Sequence, residues 1–215
     1  MVEGGNFQIM LSVIEGRVLG CLMEKERTVP DQYPLTMNAL VSACNQSSSR
    51  EPIMSLDDFE VDASLTSMKS QGFIRIVHPS HGRSVTRYRQ VAVEKFELEE
   101  PEAAVVAVLL VRGPQTVAEL RTRCERLHDF TSIEAVEASL SELAALDPPM
   151  VVRLDRAIGQ KELRWQQLLA DEAEPAVRTG PATNPAASAV AGLAAKVADL
   201  EERIGRIEAA LQELL

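Results

Sequence analysis

The segment SLDDFEVDASLTSMKSQGFIRIVHPSHGRSVTRYRQV, Ser55 to Val91, decides the fold. Ser55 and Asp58 have the spacing of a capping box, which predicts a helix start. Val61, Leu65 and Met68 recur four and three residues apart, the apolar stripe of a helix lying on a core. Gly72 suits the C-terminal cap of that helix. Phe73 to Val77 is rich in β-branched residues, His78 to Gly82 reads as a turn, and Arg83 to Val91 as a second strand. Helix, strand, turn and strand form the second half of a winged helix. In such folds the helix can enter a major groove and the hairpin can touch the backbone or minor groove.

Upstream, Ser12 to Lys25 reads as a first helix with Val13, Val18 and Leu22 on its apolar side. Pro30 and Pro34 prevent Arg27 to Pro34 from being helical throughout. Thr36 caps a second helix containing Leu40, Val41 and Cys44, and Gln46 to Met54 is a polar connection longer than a tight helix-turn-helix turn. Downstream, Glu94 to Glu100 is an acidic joint. Pro101 suits the first turn of a helix ending near Gly113. Thr116 with Glu119, and Thr131 with Glu134, predict two more capping boxes, on helices to about Leu127 and Leu146. Met150 to Asp155 and Glu162 to Leu168 are short strand candidates.

This order repeats the first half. Thr36, Leu40 and Cys44 match Thr116, Leu120 and Cys124 at an offset of 80, and Val61, Leu65 and Met68 match Val136, Leu140 and Leu143 at an offset of 75. The expected fold is mainly α, of the α+β class: two tandem winged-helix domains, residues 1–96 and 97–170, followed by a C-terminal coiled-coil helix. The first copy carries an insertion, about Glu26 to Pro34. Residues 171–188 shift to Ala, Pro, Thr and Gly and read as a linker. In residues 189–215, Val190, Leu193, Val197, Leu200, Ile204, Ile207, Leu211 and Leu214 alternate three and four apart. β-Branched residues at the first core position and mostly Leu at the second favour a parallel two-stranded coil, and hence a homodimer.

Composition narrows the classes. Hydrophobic residues make up 46% of the chain and aromatic ones only 4%, so the expected core is aliphatic. No apolar run approaches the ~20 residues of a membrane span. The segment Met1 to Asn6 lacks the basic start and apolar stretch of a signal peptide, and a cytoplasmic address is expected. Cys21, Cys44 and Cys124 are too few and too scattered for a disulfide framework or a zinc site. The chain carries no Gly-rich phosphate loop, nucleophile elbow or His/Cys/carboxylate cluster, so neither enzyme activity nor a metal or other cofactor is expected.

A net charge of -10 argues against a free-standing nucleic-acid binder, but its distribution is uneven. No acidic residue falls between Asp62 and Glu94, whereas Lys69, Arg75, Arg83, Arg87 and Arg89 do. These five, with Thr66 and Ser70 on the outer helix face, are the candidate DNA contacts. Arginines on a hairpin can neutralise phosphates or enter a narrow minor groove. The outer helix face, Phe59, Ala63, Thr66 and Ser70, offers no Arg, Asn or Gln for bidentate base reading, so backbone and shape readout is expected. Gln32, Tyr33, Asn45, Gln46, Arg50 and Glu51, in the two unusual loops of the first half, are candidates for a partner surface; their other reading is satisfaction of loop backbone groups.

Several motifs resemble the YceH-like family of uncharacterised bacterial proteins. They are Pro30-Asp31-Gln32-Tyr33-Pro34-Leu35-Thr36, Ala43-Cys44-Asn45-Gln46, Arg50-Glu51-Pro52 and Val85-Thr86-Arg87-Tyr88 in the first half. In the second half they are Leu110-Val111-Arg112-Gly113-Pro114-Gln115-Thr116, Glu119-Leu120-Arg121 and Val151-Val152-Arg153-Leu154. The resemblance implies tandem winged helices in a cytoplasmic protein and supplies no activity. Two functions stay open: a dimeric DNA-binding transcription regulator, or a tandem winged-helix adaptor that binds a protein partner.

Overall fold

Ser12 starts the first helix by accepting from the Glu15 backbone N–H while the Glu15 carboxylate accepts from the Ser12 N–H, a complete capping box. This computed structural model describes residues 11–78, 85–156 and 162–171. The coil positions Val190 to Leu214, the linker beyond Asp171, and Arg83 lie outside the described residues. The described chain is a mixed α/β structure of seven α-helices and two small antiparallel sheets.

α1 (Val13–Thr28) runs three residues past the expected Lys25, to a 3-10 turn at Pro30–Gln32. β1 (Leu35–Thr36) leads into α2 (Met37–Cys44), capped by the Thr36 hydroxyl as expected. α3 spans Asp58–Ser70, and its cap corrects the sequence reading. The capping box is Asp57 with Glu60, not Ser55 with Asp58. The reason is tertiary. The Asn45 side chain accepts from the Leu56 N–H at 2.8 Å and donates to the Leu56 carbonyl at 2.7 Å, pinning Leu56 outside the helix. Gly72, at φ +73°, closes α3 in the left-handed region. β2 (Ile74–Val77) and β3 (Arg87–Gln90) form the hairpin, and β1 adds to β3, giving the order β1-β3-β2.

The acidic joint is not wholly irregular: α4 (Ala92–Phe96) occupies its start and ends at Glu97, φ +54°. α5 (Glu100–Arg112) follows, with Pro101 in its first turn and Gly113 at its end. α6 (Val117–Cys124) has the predicted Thr116/Glu119 capping box. α7 (Ile133–Ala145) is capped by Ser132 rather than Thr131; the Ser132 hydroxyl accepts from the Ala135 N–H at 3.2 Å. β4 (Val151–Arg153) and β5 (Trp165–Gln167) pair antiparallel.

The sequence offsets persist in three dimensions. Leu40 and Leu120, Cys44 and Cys124, Val61 and Val136, and Met68 and Leu143 are all fully buried. The repeat extends further than the sequence reading took it, at an offset of 77. Val91 N–H donates to the Phe73 carbonyl as Leu168 N–H does to Met150, each at 2.8 Å. Ile74 faces Gln90 as Val151 faces Gln167. Both glutamines are buried, and each side-chain oxygen accepts from backbone N–H groups just downstream. An isolated bridge from Gln115 to Trp165 repeats the pairing of Leu35 with Tyr88.

The two halves share one core. α5 is buried from Glu102 through Val111 on every side, as its almost uninterrupted apolar sequence requires. Each Leu or Val so buried contributes about 1.5–3 kcal/mol. α1 lies directly on it. A Cβ at Gly20 would stand 2.8 Å from both Leu110 Cβ and Val111 Cγ1, so only glycine allows this approach. One turn earlier, a Cβ at Gly16 would meet Ala170 Cβ at 2.6 Å. Leu11 donates to the Leu169 carbonyl and accepts from Asp171, which ties the start of α1 to the end of the second half.

Candidate nucleic-acid interface

α3 presents Met68, Leu65 and Val61 to the core and leaves Thr66, Lys69 and Ser70 exposed on its outer side. The Ser70 hydroxyl donates back to the Ser67 carbonyl, as serines near a helix end commonly do. Arg75 on β2 is exposed and close to Lys69: the two line a shallow groove of about 450 Å³ with Gly72, Ile74, Ile76 and His78. Neither Lys69 nor Arg75 makes an ion pair among the described residues. In the hairpin register Arg75 lies opposite Arg89, a like-charge pair that is unfavourable unless one partner is neutralised. Arg89 is, by an ion pair with Glu94. Arg87 is exposed, but its Nη1 donates to the Pro34 carbonyl at 2.7 Å and the Gln32 carbonyl at 3.2 Å. The basic run therefore divides. Arg87 and Arg89 are engaged within the fold, whereas Lys69 and Arg75 face solvent.

The two loop clusters also divide. Arg50 was a candidate for a partner surface, and the structure corrects this, because its side chain is fully buried. Its Nε donates to the Ala43 carbonyl at 2.9 Å, Nη1 to Ser49 at 2.8 Å, and Nη2 lies 2.6 Å from Glu24 Oε2, an ion pair without hydrogen-bond alignment. Asn45 serves the Leu56 clamp and offers no free amide. The Tyr33 hydroxyl accepts from the Gln90 N–H at 2.7 Å; burial, then the nearby Glu26 carboxylate, pushes its pKa upward. Gln46 is half-buried, and Gln32 and Glu51 are exposed. The Glu51 backbone N–H donates to the Val111 carbonyl at 2.9 Å, crossing from one half to the other.

The sequence reading passed over two cations. Arg17 is buried in α1, with Nη1 donating to Cys44 at 3.2 Å and Nη2 to Pro52 at 2.7 Å. Arg112 closes α5 half-buried and without an ion pair among the described residues. The signal for Arg17 was an arginine inside the apolar run Val13 to Leu22. Arg112 stands at the end of the apolar run Ala103 to Val111, within the Leu110 to Thr116 motif, and nothing there marks it as a site residue. All three cysteines are buried, and burial pushes the Cys124 thiol up to about 12. Among the described residues no three His, Cys, Asp or Glu side chains group as metal ligands, and no helix is long and apolar enough to cross a membrane.

Residues 11–160 match the model of a family described as a protein of unknown function, DUF480, and the chain belongs to that family. Similar relatives are UPF0502 proteins. That of Geotalea uraniireducens is 46% identical over 198 residues, spanning 92% of this chain and 90% of the relative. That of Solibacter usitatus is 42% identical over 203 residues, spanning 94% and 95%. That of Shewanella amazonensis is 40% identical over 212 residues, spanning 96% and 98%.

Proposed function

We propose that the chain is a tandem winged-helix DNA-binding protein, a dimeric transcription regulator that reads backbone and shape rather than base edges. The observation that carries this reading is the pair Lys69 and Arg75. Two cations at the foot of α3 and the hairpin share one exposed groove and make no ion pair among the described residues. Thr66 continues that face along α3 with a short hydroxyl suited to phosphate oxygens, and Ser70 extends it with a hydroxyl that would first have to leave the Ser67 carbonyl. Two halves built in the same element order, residues 1–96 and 97–170, support the tandem assignment. The heptad of residues 190–214 supports the dimer. Arg87 and Arg89 hold the hairpin in shape, and Arg83 completes the basic set of the first half.

With Lys69, Arg75 and Arg83 on each protomer, a dimer neutralises about six phosphates, for a log–log salt slope of roughly -5. Fluorescence anisotropy with duplexes of unrelated sequence, at several salt concentrations, tests this. Lys69→Ala with Arg75→Ala should weaken every duplex alike and flatten the slope by roughly 4 in the dimer. Absence of binding by the parent protein at about 50 mM salt, where such contacts are strong, would remove the DNA reading.

The alternative is an adaptor that binds a protein partner. It is favoured by Phe59 and Ile53, which are 81% and 65% exposed at the start of α3 and in the loop before it. Aromatic side chains left in water at a surface are frequent anchors of protein interfaces. Retention of the same lysate protein with and without nuclease, lost on Phe59→Ser, would favour this reading over DNA.

A further inference from the structure

A cleft of about 900 Å³ opens between the C-terminal half of α1, the Ser48–Arg50 loop, α5 and the end of α6. Its floor is apolar, from Ala107, Val108 and Val111 of α5. Six cations line it, Lys25, Arg27, Arg50, Arg112, Arg123 and Arg126, against two carboxylates, Glu24 and Glu125. In a chain of net charge -10, this is a local reversal of sign.

Four of the cations are compensated. Glu24 holds Lys25 at 3.3 Å and Arg50 at 2.6 Å, Glu100 holds Arg27 at 2.6 Å, and Glu119 lies 3.6 Å from Arg123. The other two, exposed Arg126 and half-buried Arg112, make no ion pair among the described residues. Burial, followed by the charges of Arg123 and Arg50, holds the Arg112 pKa below the ordinary arginine value. A half-buried cation beside two like charges, offset only in part by the Glu24 carboxylate, is stabilised by a further anion. The loop wall is strained in the same place. Ser49, which is not glycine, sits at φ +62°. It is held there by Arg50 Nη1 donating to its carbonyl and by the bond from Glu51 N–H to Val111. Backbone held in sparsely populated regions concentrates at binding sites.

We propose that this cleft binds a small phosphate-bearing molecule. Arg112 is its principal contact, assisted by Arg123 and by the hydroxyls of Ser48, Ser49 and Thr122, and the α5 floor takes the organic part. The planar guanidinium fork matches phosphate oxygens bidentately. The volume falls in the range of small-molecule pockets, and the lining is mainly cationic and hydroxyl-bearing, with an apolar patch on α5, which suits a charged ligand with a small organic part. This site is separate from the Lys69–Arg75 groove and does not depend on the DNA reading.

Isothermal titration of the full chain with ATP, inorganic pyrophosphate and citrate, at about 150 mM salt to screen diffuse charge, tests the proposal. Saturable binding of either phosphate probe, tighter than citrate, is the expected result. Arg112→Gln should weaken it about tenfold or more, the effect of losing a charge-assisted hydrogen bond. Arg153→Gln, which removes the same charge from exposed β4 outside the cleft, should leave it unchanged. Arg112→Lys keeps the charge and loses the fork, so it should also weaken binding, and it carries the test if Arg112→Gln does not fold. No saturable heat with either phosphate probe at about 10 mM overturns the site, as does equal loss from Arg112→Gln and Arg153→Gln. Citrate binding more tightly than both phosphate probes overturns the ligand class.

Discussion

Arg164 repeats Arg87. In each half an arginine on or just before the last strand donates through Nη1 to a proline carbonyl: Arg87 to Pro34 at 2.7 Å, Arg164 to Pro114 at 2.8 Å. The arginines are 77 residues apart and the prolines 80, the offsets of the strands and of the second helices. The contact fastens the hairpin of each half to the chain entering its second helix. An arginine of the basic run is thereby accounted for by the fold.

Arg87→Ala should lower stability by about 1 kcal/mol, since two hydrogen bonds at an exposed site are lost. Arg164→Ala should cost more, about 2 kcal/mol, because it also removes the closer of the two arginines paired with Glu119, at 2.9 Å, and leaves only Arg123 at 3.6 Å. Urea midpoints measure both. Should Arg87→Ala keep the parental midpoint and flatten the salt slope of DNA binding, Arg87 serves DNA and not the hairpin.

Glu119 links this contact to pH. Burial alone would raise its carboxyl; the Thr116 backbone N–H and the Arg164 guanidinium outweigh burial and hold its pKa below the ordinary carboxylate value of 4.5. A lowered folded-state pKa stabilises the fold above the unfolded pKa, and that stabilisation is lost as pH falls through the folded one. Melting temperature should therefore fall more steeply in acid, from about pH 4.5 downward, for the parent than for Glu119→Gln. Glutamine can still accept from the Thr116 N–H, so the helix start is retained. Parallel acid limbs for the two proteins would show that Glu119 is not the group responsible.

Gly20→Ala should destabilise the protein although alanine is the better helix former. The added methyl meets Leu110 Cβ and Val111 Cγ1 at 2.8 Å, and overpacking of this kind costs about 1–3 kcal/mol. Thermal unfolding followed by circular dichroism provides the measurement. A rise in melting temperature would mean that α1 and α5 separate at no cost.

The heptad of residues 190–214 predicts that Ile204→Lys abolishes self-association, because it places an unpaired charge in a coil seam. Sedimentation velocity should show a monomer whose circular dichroism retains the helical signal of α1 to α7. A variant that sediments like the parent would put the dimer contact elsewhere.

Features set within one helical turn, or by periodicity along the chain, were legible. The Thr36 and Thr116 caps, the Pro101 start, the Gly72 and Gly113 ends and the buried stripe of Val61, Leu65 and Met68 all stand as read. The two misplaced caps show the limit. Both Ser55 and Asp57 had a suitable partner three residues on, and the choice fell to Asn45, which clamps Leu56 from 11 residues upstream. The candidate site shows it more strongly. Five cations of the basic run look equivalent in sequence, yet Arg87 is engaged by carbonyls 53 and 55 residues away and Arg89 by Glu94, while Lys69 and Arg75 are free of ion pairs among the described residues.

The sequence by itself determined six of the seven described α-helices, the hairpin strands and the buried stripe of an amphipathic helix such as α3, because hydrogen bonds within a turn and the 3.6-residue period are short-range properties of the chain. Only the tertiary structure decided which charges are spent internally and which remain. Ion pairs and desolvation depend on distances between residues far apart in sequence. That is why Arg50 turned inward to Glu24, and why the cleft around Arg112 became visible only once α1, α5 and α6 were packed together.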